Sequence, residues 1–386
     1  MKYREHRGFK ISEIGVGTYS LSGVYGKKEA GEFKNMVDRA YQFGVNFFDT
    51  AHVYGDAERV LGEIVKPYRD EVYMATKIGI KENVRPDLSR EYVRKCCEES
   101  LERLQTHYID LYQVHFDDPR TPVDETVHAL NELVDEGKIR VYGVGHLPLE
   151  RVKEYCEIGN VFSVLMELSA VARGVRETHL PICRRYDVRA IAFSTTGRGL
   201  LTGKLKGDIK FEAGDIRNYD PLFQRENLAS GLRIVNRFQE LSGKYGKTPV
   251  QIAIAWVLSH PEVVCALTGP SKITHLEENL GGSGWQIASQ DMRNLEEFFE
   301  ADDARLKRDQ RIAMGKILSE RLPEEPAQAL SDLVYAIETA MSLGATSEEE
   351  VVPVFRELWS IRKNLDESSY PKLENIQLKL RKIITT

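Results

Sequence analysis

Short apolar runs alternate with longer amphipathic stretches along most of this chain. Residues 2–12 read as a hairpin turning at Gly8, and Ile14-Gly15-Val16-Gly17 as a first core strand. Phe33, Met36, Val37, Ala40 and Phe43 then share one helical face, ahead of a run, Val45, Phe47 and Phe48, that is too short for a helix. The rhythm continues with Val72 to Lys77, a stripe of Val93, Cys97, Leu101 and Leu104, the run Ile109 to His115, and a stripe of Val123, Val127, Leu130 and Val134. Further apolar runs at 139–144, 161–166, 188–193 and 263–267 are separated by helical patterns. Thr248-Pro249 marks a helix start, since threonine caps and proline at the first position forfeits no needed hydrogen bond. Eight strand-then-helix units over about 280 residues predict an α/β fold, a closed (β/α)8 barrel. The rival, a doubly wound sheet, would place Gly-x-Gly-x-x-Gly after the first strand, whereas Gly15-Val16-Gly17 runs into Thr18-Tyr19.

After residue 300 the pattern changes. Arg305 to Arg311 is dense in charge, Leu322-Pro323-Glu324-Glu325-Pro326 breaks the chain, and three amphipathic stripes follow. They are Leu330, Leu333, Val334, Ile337 and Met341; then Val351, Val354, Phe355, Leu358, Ile361 and Leu365; then Leu373, Ile376, Leu380 and Ile383. Ser347 and Glu350 have capping-box spacing. The expected organisation is a barrel over 1–300 and an all-α extension over 301–386. The apolar stripes must be buried in a small bundle, on the barrel or against another subunit, so the helices are candidates for self-association or partner docking.

Composition narrows the class of partner. A formal net charge of −6 offers no global attraction for nucleic acid or an anionic membrane, which leaves small molecules. Cys96, Cys97, Cys156, Cys183 and Cys265 have no metal-type spacing, and their odd number fits a disulfide framework poorly. A reducing cytoplasm and no metal are the expectation. No stretch holds the ~18 consecutive apolar residues that a membrane helix needs.

In a barrel, Asp49 and Tyr54 follow the second strand, Lys77 ends the third and His115 the fourth. Each alone has an ordinary explanation: a loop cap, a packed aromatic, a surface lysine, a core histidine. Together they place four titratable groups on the rim where such barrels carry their chemistry. A phenol, with a reference pKa of ~10, is a proton donor held in reserve at neutral pH, and a nearby ammonium lowers that value. Lys77 supplies such a field, Asp49 keeps it charged and in place, and His115 orients a substrate oxygen. The set suits protonation of an alkoxide formed when hydride attacks a carbonyl.

The same residues resemble the aldo-keto reductases, a family of nicotinamide-dependent barrel enzymes. The likeness spans roughly residues 2–300: Phe48-Asp49-Thr50-Ala51 with Tyr54-Gly55, Ala75-Thr76-Lys77, Asp110-Leu111-Tyr112-Gln113-Val114-His115, Glu136-Gly137-Lys138-Ile139-Arg140 with Gly143-Val144-Gly145, Gly197-Arg198-Gly199-Leu200-Leu201-Thr202-Gly203-Lys204, and Leu276-Glu277-Glu278-Asn279-Leu280. The resemblance implies reduction of an aldehyde or ketone, with Tyr54 as general acid/base, Lys77 and Asp49 as its tuning pair and His115 as carbonyl orienter. It implies cofactor contacts from Gly17, Thr18, Tyr19, Asp49, Ser194, Gly199, Leu200, Gly269, Ser271, Lys272, Glu278 and Asn279. NADP(H) is expected on family habit; Gly269 and His275 stand where many members have basic residues, which leaves NAD(H) as the rival. Tyr19, Tyr25, His52 and Phe116 are candidates for the substrate mouth.

Four residues depart from the family pattern. Gly145-His146 replaces Ser-Asn, Leu165 replaces glutamine, and Phe193 replaces the tyrosine that stacks on the nicotinamide. A phenyl face preserves the stacking. The two lost amides hold the carboxamide in the family, and His146 or Glu167 are the stand-ins within reach along the chain. These departures and the helical tail motivate an alternative, a nicotinamide-binding barrel of weak activity that senses redox state or binds a partner. A Schiff-base lyase using Lys77 is a third class, and Asp49 argues against it by keeping Lys77 protonated.

Overall fold

The strand-like runs pair because each carries side chains that are buried on both faces once helices cover the sheet. In the computed structural model of the protein, which describes residues 1–22, 30–80, 85–205, 209, 211–212, 215–218, 220–270, 272–362 and 364–385, they form a closed parallel barrel. A hairpin of β1 (Tyr3–His6) and β2 (Phe9–Ser12) precedes it. The barrel strands are β3 (Ile14–Gly17), β4 (Phe47–Asp49), β5 (Tyr73–Ile78), β6 (Ile109–Val114), β7 (Ile139–Gly145), β8 (Ser163–Glu167), β9 (Arg189–Phe193) and β10 (Val263–Thr268). They neighbour one another in sequence order, and β10 closes on β3. Between them lie α1 (Ala30–Gln42), α2 (Ala57–Val65), α3 (Arg90–Arg103), α4 (Val123–Asp135), α5 (Leu149–Ile158), α6 (Val175–Arg185), α7 (Arg225–Tyr245) and α8 (Pro249–Leu258), with α9 (Ile273–Leu280) after β10.

Phe47, Ala75, Leu111, Leu165, Ile191, Cys265 and Leu267 fill the barrel together with Phe9 and Ile11 of the hairpin. Phe9 packs against Phe162, which precedes β8, and against Tyr73, which opens β5, with ring centroids 4.8 and 5.1 Å away. The hairpin thus plugs the end where the strands begin, which leaves the end where they finish for chemistry. Gly15 is required by this filling: a Cβ there would lie 2.9 Å from Cys265 Sγ and 3.0 Å from the Phe47 ring. On the outside, α8 is buried over nearly its whole surface, as its continuous apolar sequence demands. It starts where Thr248-Pro249 indicates, with the Thr248 amide donating to Gln251 Oε1 at 3.1 Å.

The chain forms two compact units, whose last division falls between Ile287 and Ala288. The barrel unit comprises Met1–Gly207, Glu212–Asp215 and Ile234–Ile287; the second comprises Asp208–Phe211, Ile216–Arg233 and Ala288–Thr386. The charge-dense stretch does not end the regular structure, because α10 runs unbroken from Ser289 to Ser319 with Arg305, Lys307, Arg308 and Arg311 exposed to solvent. A run of charges is compatible with a helix that keeps its apolar residues on the opposite face. After α10 come α11 (Pro326–Ser342), α12 (Glu348–Arg362) and α13 (Tyr370–Thr385). Their stripes are buried in one core with Ile317 and Leu318 of α10, including Leu330, Leu333, Ile337, Val354, Leu358, Leu373, Ile376 and Leu380. The stripes thus form the core of a helical bundle. Within this unit Arg225 donates to Asp332 at 2.5 and 3.1 Å, and the Tyr335 hydroxyl donates to Glu226 at 2.8 Å. No described helix is long and apolar enough to cross a membrane.

Candidate active site

Parallel register brings residues far apart in sequence to one level of the barrel. Gly17 pairs with Asp49, Asp49 with Ala75, and Lys77 with Gln113, so the carboxyl ends of β3 to β6 meet. Asp49 is 5% exposed and Lys77 1%. Lys77 Nζ donates to Asp49 Oδ1 at 2.5 Å and to the Thr50 carbonyl oxygen at 2.7 Å, while Gln113 Nε2 donates to Asp49 Oδ2 at 3.2 Å. Stripping water from two charges costs several kcal/mol per ion, and the short contact with its flanking hydrogen bonds offsets that cost. Burial depresses the Lys77 ammonium's pKa and raises that of the Asp49 carboxyl, while each partner's charge opposes the shift in the other. Lys77 is thereby brought nearer to the range in which it gives up a proton.

His115 follows β6, and its backbone amide donates to the Ile78 carbonyl at 2.7 Å. Burial first, and the nearby Lys77 charge second, hold its pKa well below 6.5, so the ring is neutral at physiological pH. Its Nδ1 is buried and makes no hydrogen bond within the protein. Tyr54 stands between these groups: Lys77 Nζ lies 5.1 Å from its ring centroid, and the His115 ring lies edge-on at 6.0 Å. Tyr19 packs against Tyr54, with ring centroids 4.9 Å apart. The four residues singled out for chemistry are thus drawn together from three neighbouring strands.

The rim continues as a series of rings. Phe116 lies 4.3 Å from His115 and stacks on His146 at 5.0 Å, and His146 in turn lies 4.9 Å from Phe193. His146 therefore occupies the region between the His115 side and Phe193, with its backbone in the left-handed region at φ 49°. Gly145 before it is needed for close strand approach, since a Cβ there would lie 3.0 Å from Leu165 Cβ. Glu167, the second stand-in for the missing amides, is engaged by Arg198, whose Nη2 lies 3.0 Å from Oε1 and 3.1 Å from Oε2. Arg198 was not among the sequence candidates, although it sits inside the Gly197-Arg198-Gly199 motif. Gln113 and Thr50, the further partners of Asp49 and Lys77, were also missed; an amide at the end of a buried strand is the signal that points to Gln113.

The remaining candidates divide by what they can offer. Gly17 and Gly269 leave room, for a Cβ at Gly17 would meet only the Thr268 carbonyl at 3.8 Å and one at Gly269 nothing within 4 Å. Thr18 is buried and committed to the protein, its hydroxyl bonded to that of Thr50 at 2.9 Å. Ser194 and Gly199 have φ of 54° and 95°, and Leu200 is buried, so this segment can present backbone groups but not the Leu200 side chain. Lys272 is exposed immediately before α9, where unpaired amides and the helix dipole favour an anion. Glu278 takes Lys204 Nζ at 2.6 Å, and Asn279 is buried. Ser271 and Tyr25 lie outside the described residues.

A dinucleotide fits this donor set. The half-buried Phe193 ring offers a flat apolar face, the orphaned His115 Nδ1 a polar atom at the site, and Lys272 with the start of α9 a place for phosphate. Among the described residues no group of three or more His, Cys, Asp or Glu is arranged to hold a metal ion.

The aldo/keto reductase family model matches residues 13–300. Probable aldo-keto reductase 1 of Glycine max is 35% identical over 303 residues, covering 76% of this chain and 86% of that protein. Aldo-keto reductase YhdN of Bacillus subtilis (strain 168) is 33% identical over 302 residues, covering 76% and 91%. Among solved structures, the glycerol dehydrogenase AKR11B4 from Gluconobacter oxydans superimposes with a TM-score of 0.71 at 29% identity, over 77% of this chain and 94% of that one. Aldo-keto reductase AKR11C1 from Bacillus halodurans, in its holo form, gives 0.65 at 26% identity, over 77% and 96%. With its eight-stranded parallel barrel and a family match spanning that barrel, the chain belongs to the aldo-keto reductases, oxidoreductases that use nicotinamide cofactors.

Proposed function

We propose that this protein reduces an aldehyde or ketone to an alcohol with NADP(H), and that Tyr54 supplies the proton. The observation that carries the proposal is the convergence of Tyr54, the buried Lys77–Asp49 pair and His115 at the open end of the barrel. When bound, the nicotinamide supplies hydride to the carbonyl carbon. The carbonyl oxygen lies between the Tyr54 hydroxyl and His115. A neutral His115 orients it with a single N–H rather than with charge. As negative charge builds on the oxygen, the Tyr54 O–H bond breaks and a new O–H bond forms on the product. Lys77 favours the phenolate left behind, which regains its proton from solvent. A positioned acid of this kind is worth ~10²–10⁴ in rate.

Charge at the far end supports the choice of NADP(H). Lys204 neutralises the Glu278 carboxylate, so Glu278 does not repel a phosphate brought to Lys272. The five cysteines are free thiols, in keeping with a cytoplasmic enzyme. Tyr54→Phe tests the role of the phenol: NADPH binding, followed by fluorescence, should be retained, and turnover of a probe such as 4-nitrobenzaldehyde should fall by ~10² or more. Wild-type rates in that variant would overturn the assignment. An intact protein that binds NADPH tightly and turns over no carbonyl would instead favour a binding-only subunit.

A further inference from the structure

His52, in the loop between β4 and α2, has no part in the chemistry above, yet both its ring nitrogens are engaged. Nδ1 lies 2.7 Å from the Lys77 carbonyl oxygen and Nε2 lies 2.6 Å from that of Ile80. A carbonyl oxygen only accepts, so each nitrogen has to donate. Only the doubly protonated ring has two N–H groups; a neutral ring would aim a lone pair at an oxygen at contact distance. The segment that His52 grips is held elsewhere as well. The Tyr92 hydroxyl donates to the same Ile80 oxygen at 3.1 Å, and the His115 amide donates to the Ile78 carbonyl at 2.7 Å. Gly79 between them has φ of 113°, and a Cβ there would lie 3.1 Å from the Phe116 carbonyl oxygen. Neither of those two hydrogen bonds depends on a histidine's proton; the His52 clamp does.

We infer that His52 is a protonation-dependent positioning residue, whose imidazolium ties the end of β5 to the Tyr54 loop and so sets Lys77 against Asp49 and Tyr54. The inference rests on the proposal that Tyr54 and Lys77 carry the proton transfer. Among the described residues, the titratable and charged groups around His52 are Lys77 with Asp49, His115 at the end of β6, Tyr92 on α3, Tyr54 on its own loop, and Asp87, whose amide donates to the Gly79 carbonyl at 3.2 Å. Asp49 meets the Lys77 charge at 2.5 Å, and the two carbonyl oxygens are the groups in direct contact with the ring. As pH rises and His52 loses a proton, one of its two bonds is replaced by repulsion and the grip on residues 77–80 slackens. Reduction consumes a proton, so the clamp is firmest where reduction is most favoured.

The test begins with ¹⁵N NMR of the ring in the cofactor-free protein across pH ~5 to ~9. Two protonated nitrogens at the acid end, and one proton lost on going alkaline, is the expected result. A ring with one bare nitrogen throughout overturns the inference, and this readout needs no active or mutated enzyme. Turnover of NADPH with 4-nitrobenzaldehyde should fall ~10-fold in His52→Phe, as expected of a small misplacement of a proton-transfer group, with NADPH affinity unchanged. His52→Arg keeps its donors at every working pH; it should restore kcat and remove the corresponding limb of the pH profile. Wild-type kcat and pH profile in His52→Phe would overturn the inference. Tyr54→Phe should retain the His52 ¹⁵N signature, so a failure of the Tyr54 assignment and a failure of this one are distinguishable.

Discussion

Replacing Asp49 by Asn removes a charge from the centre of the site while leaving its hydrogen bonds intact. The amide oxygen can still accept from Lys77 Nζ, which also keeps the Thr50 carbonyl at 2.7 Å. Gln113 now donates to Asp49 through Nε2 and has a buried Oε1 without a partner, so turning its amide lets it accept from the new NH2 group. What remains is an ammonium, 1% exposed, without its counter-charge. Retaining that charge costs ~3–5 kcal/mol, the usual penalty for breaking a buried pair from one side. Giving up the proton costs ~1.4 kcal/mol for each pH unit below the reference lysine value of ~10.4, or ~5 kcal/mol at pH 7 and ~2 at pH 9. The sign follows from linkage: the unfolded chain holds the proton and the folded variant does not, so stability rises with pH between the depressed folded value and ~10. Urea unfolding at pH 7 and pH 9 measures this, with Trp359→Phe as background so that Trp256 and Trp285 of the barrel unit report. Asp49→Asn should be less stable than its parent by several kcal/mol at pH 7 and recover about half of the loss at pH 9. An equal loss at both values would show that Lys77 stays charged without Asp49 and would refute the reasoning about the pair.

Two further outcomes test the fold. Gly62 in α2 lies so close to α3's end that a Cβ would sit inside contact distance of the Leu104 backbone carbonyl. Gly62→Ala should therefore cost ~3 kcal/mol or more, whereas Gly31→Ala, where a Cβ meets nothing within 4 Å, should be neutral or stabilise by up to ~1 kcal/mol; equal midpoints in urea would contradict this. His6 is buried, and desolvation first and the Arg189 and Arg7 charges next lower its pKa to about 4. The unfolded histidine takes up its proton near ~6.5 and the folded one only near 4, so ~2–3 kcal/mol of stability is lost as pH falls through that window. His6→Phe should flatten this part of the profile, and an unchanged acid limb would sink the assignment.

Much of the barrel is legible in the chain because each piece of it is local. The apolar run that makes Val263–Thr268 a strand, or the Thr248-Pro249 start of α8, is a property of a few consecutive residues. The placing of Asp49, Lys77 and His115 on one rim follows too, since parallel strands of one barrel must all end at the same side. The second unit was less legible. Its three stripes pointed to helices, but the charge of Arg305 to Arg311 disguised the long α10, because a charged face says nothing about the apolar face behind it.

What tertiary structure alone decided is which polar groups meet. Gln113 reaches Asp49 across 64 residues of sequence, Arg198 reaches Glu167 across 31, and His52 reaches Lys77 across 25. Each contact depends on the register between strands and on the path of a loop. Register is set by the packing of the whole barrel, including the hairpin plug and Gly15, rather than by any one segment. The sequence by itself determined the kinds of group at the rim and the end of the barrel that carries them. Their pairing, and with it the neutral His115 and the depressed Lys77, arises only when burial removes the water that would otherwise have satisfied each group on its own.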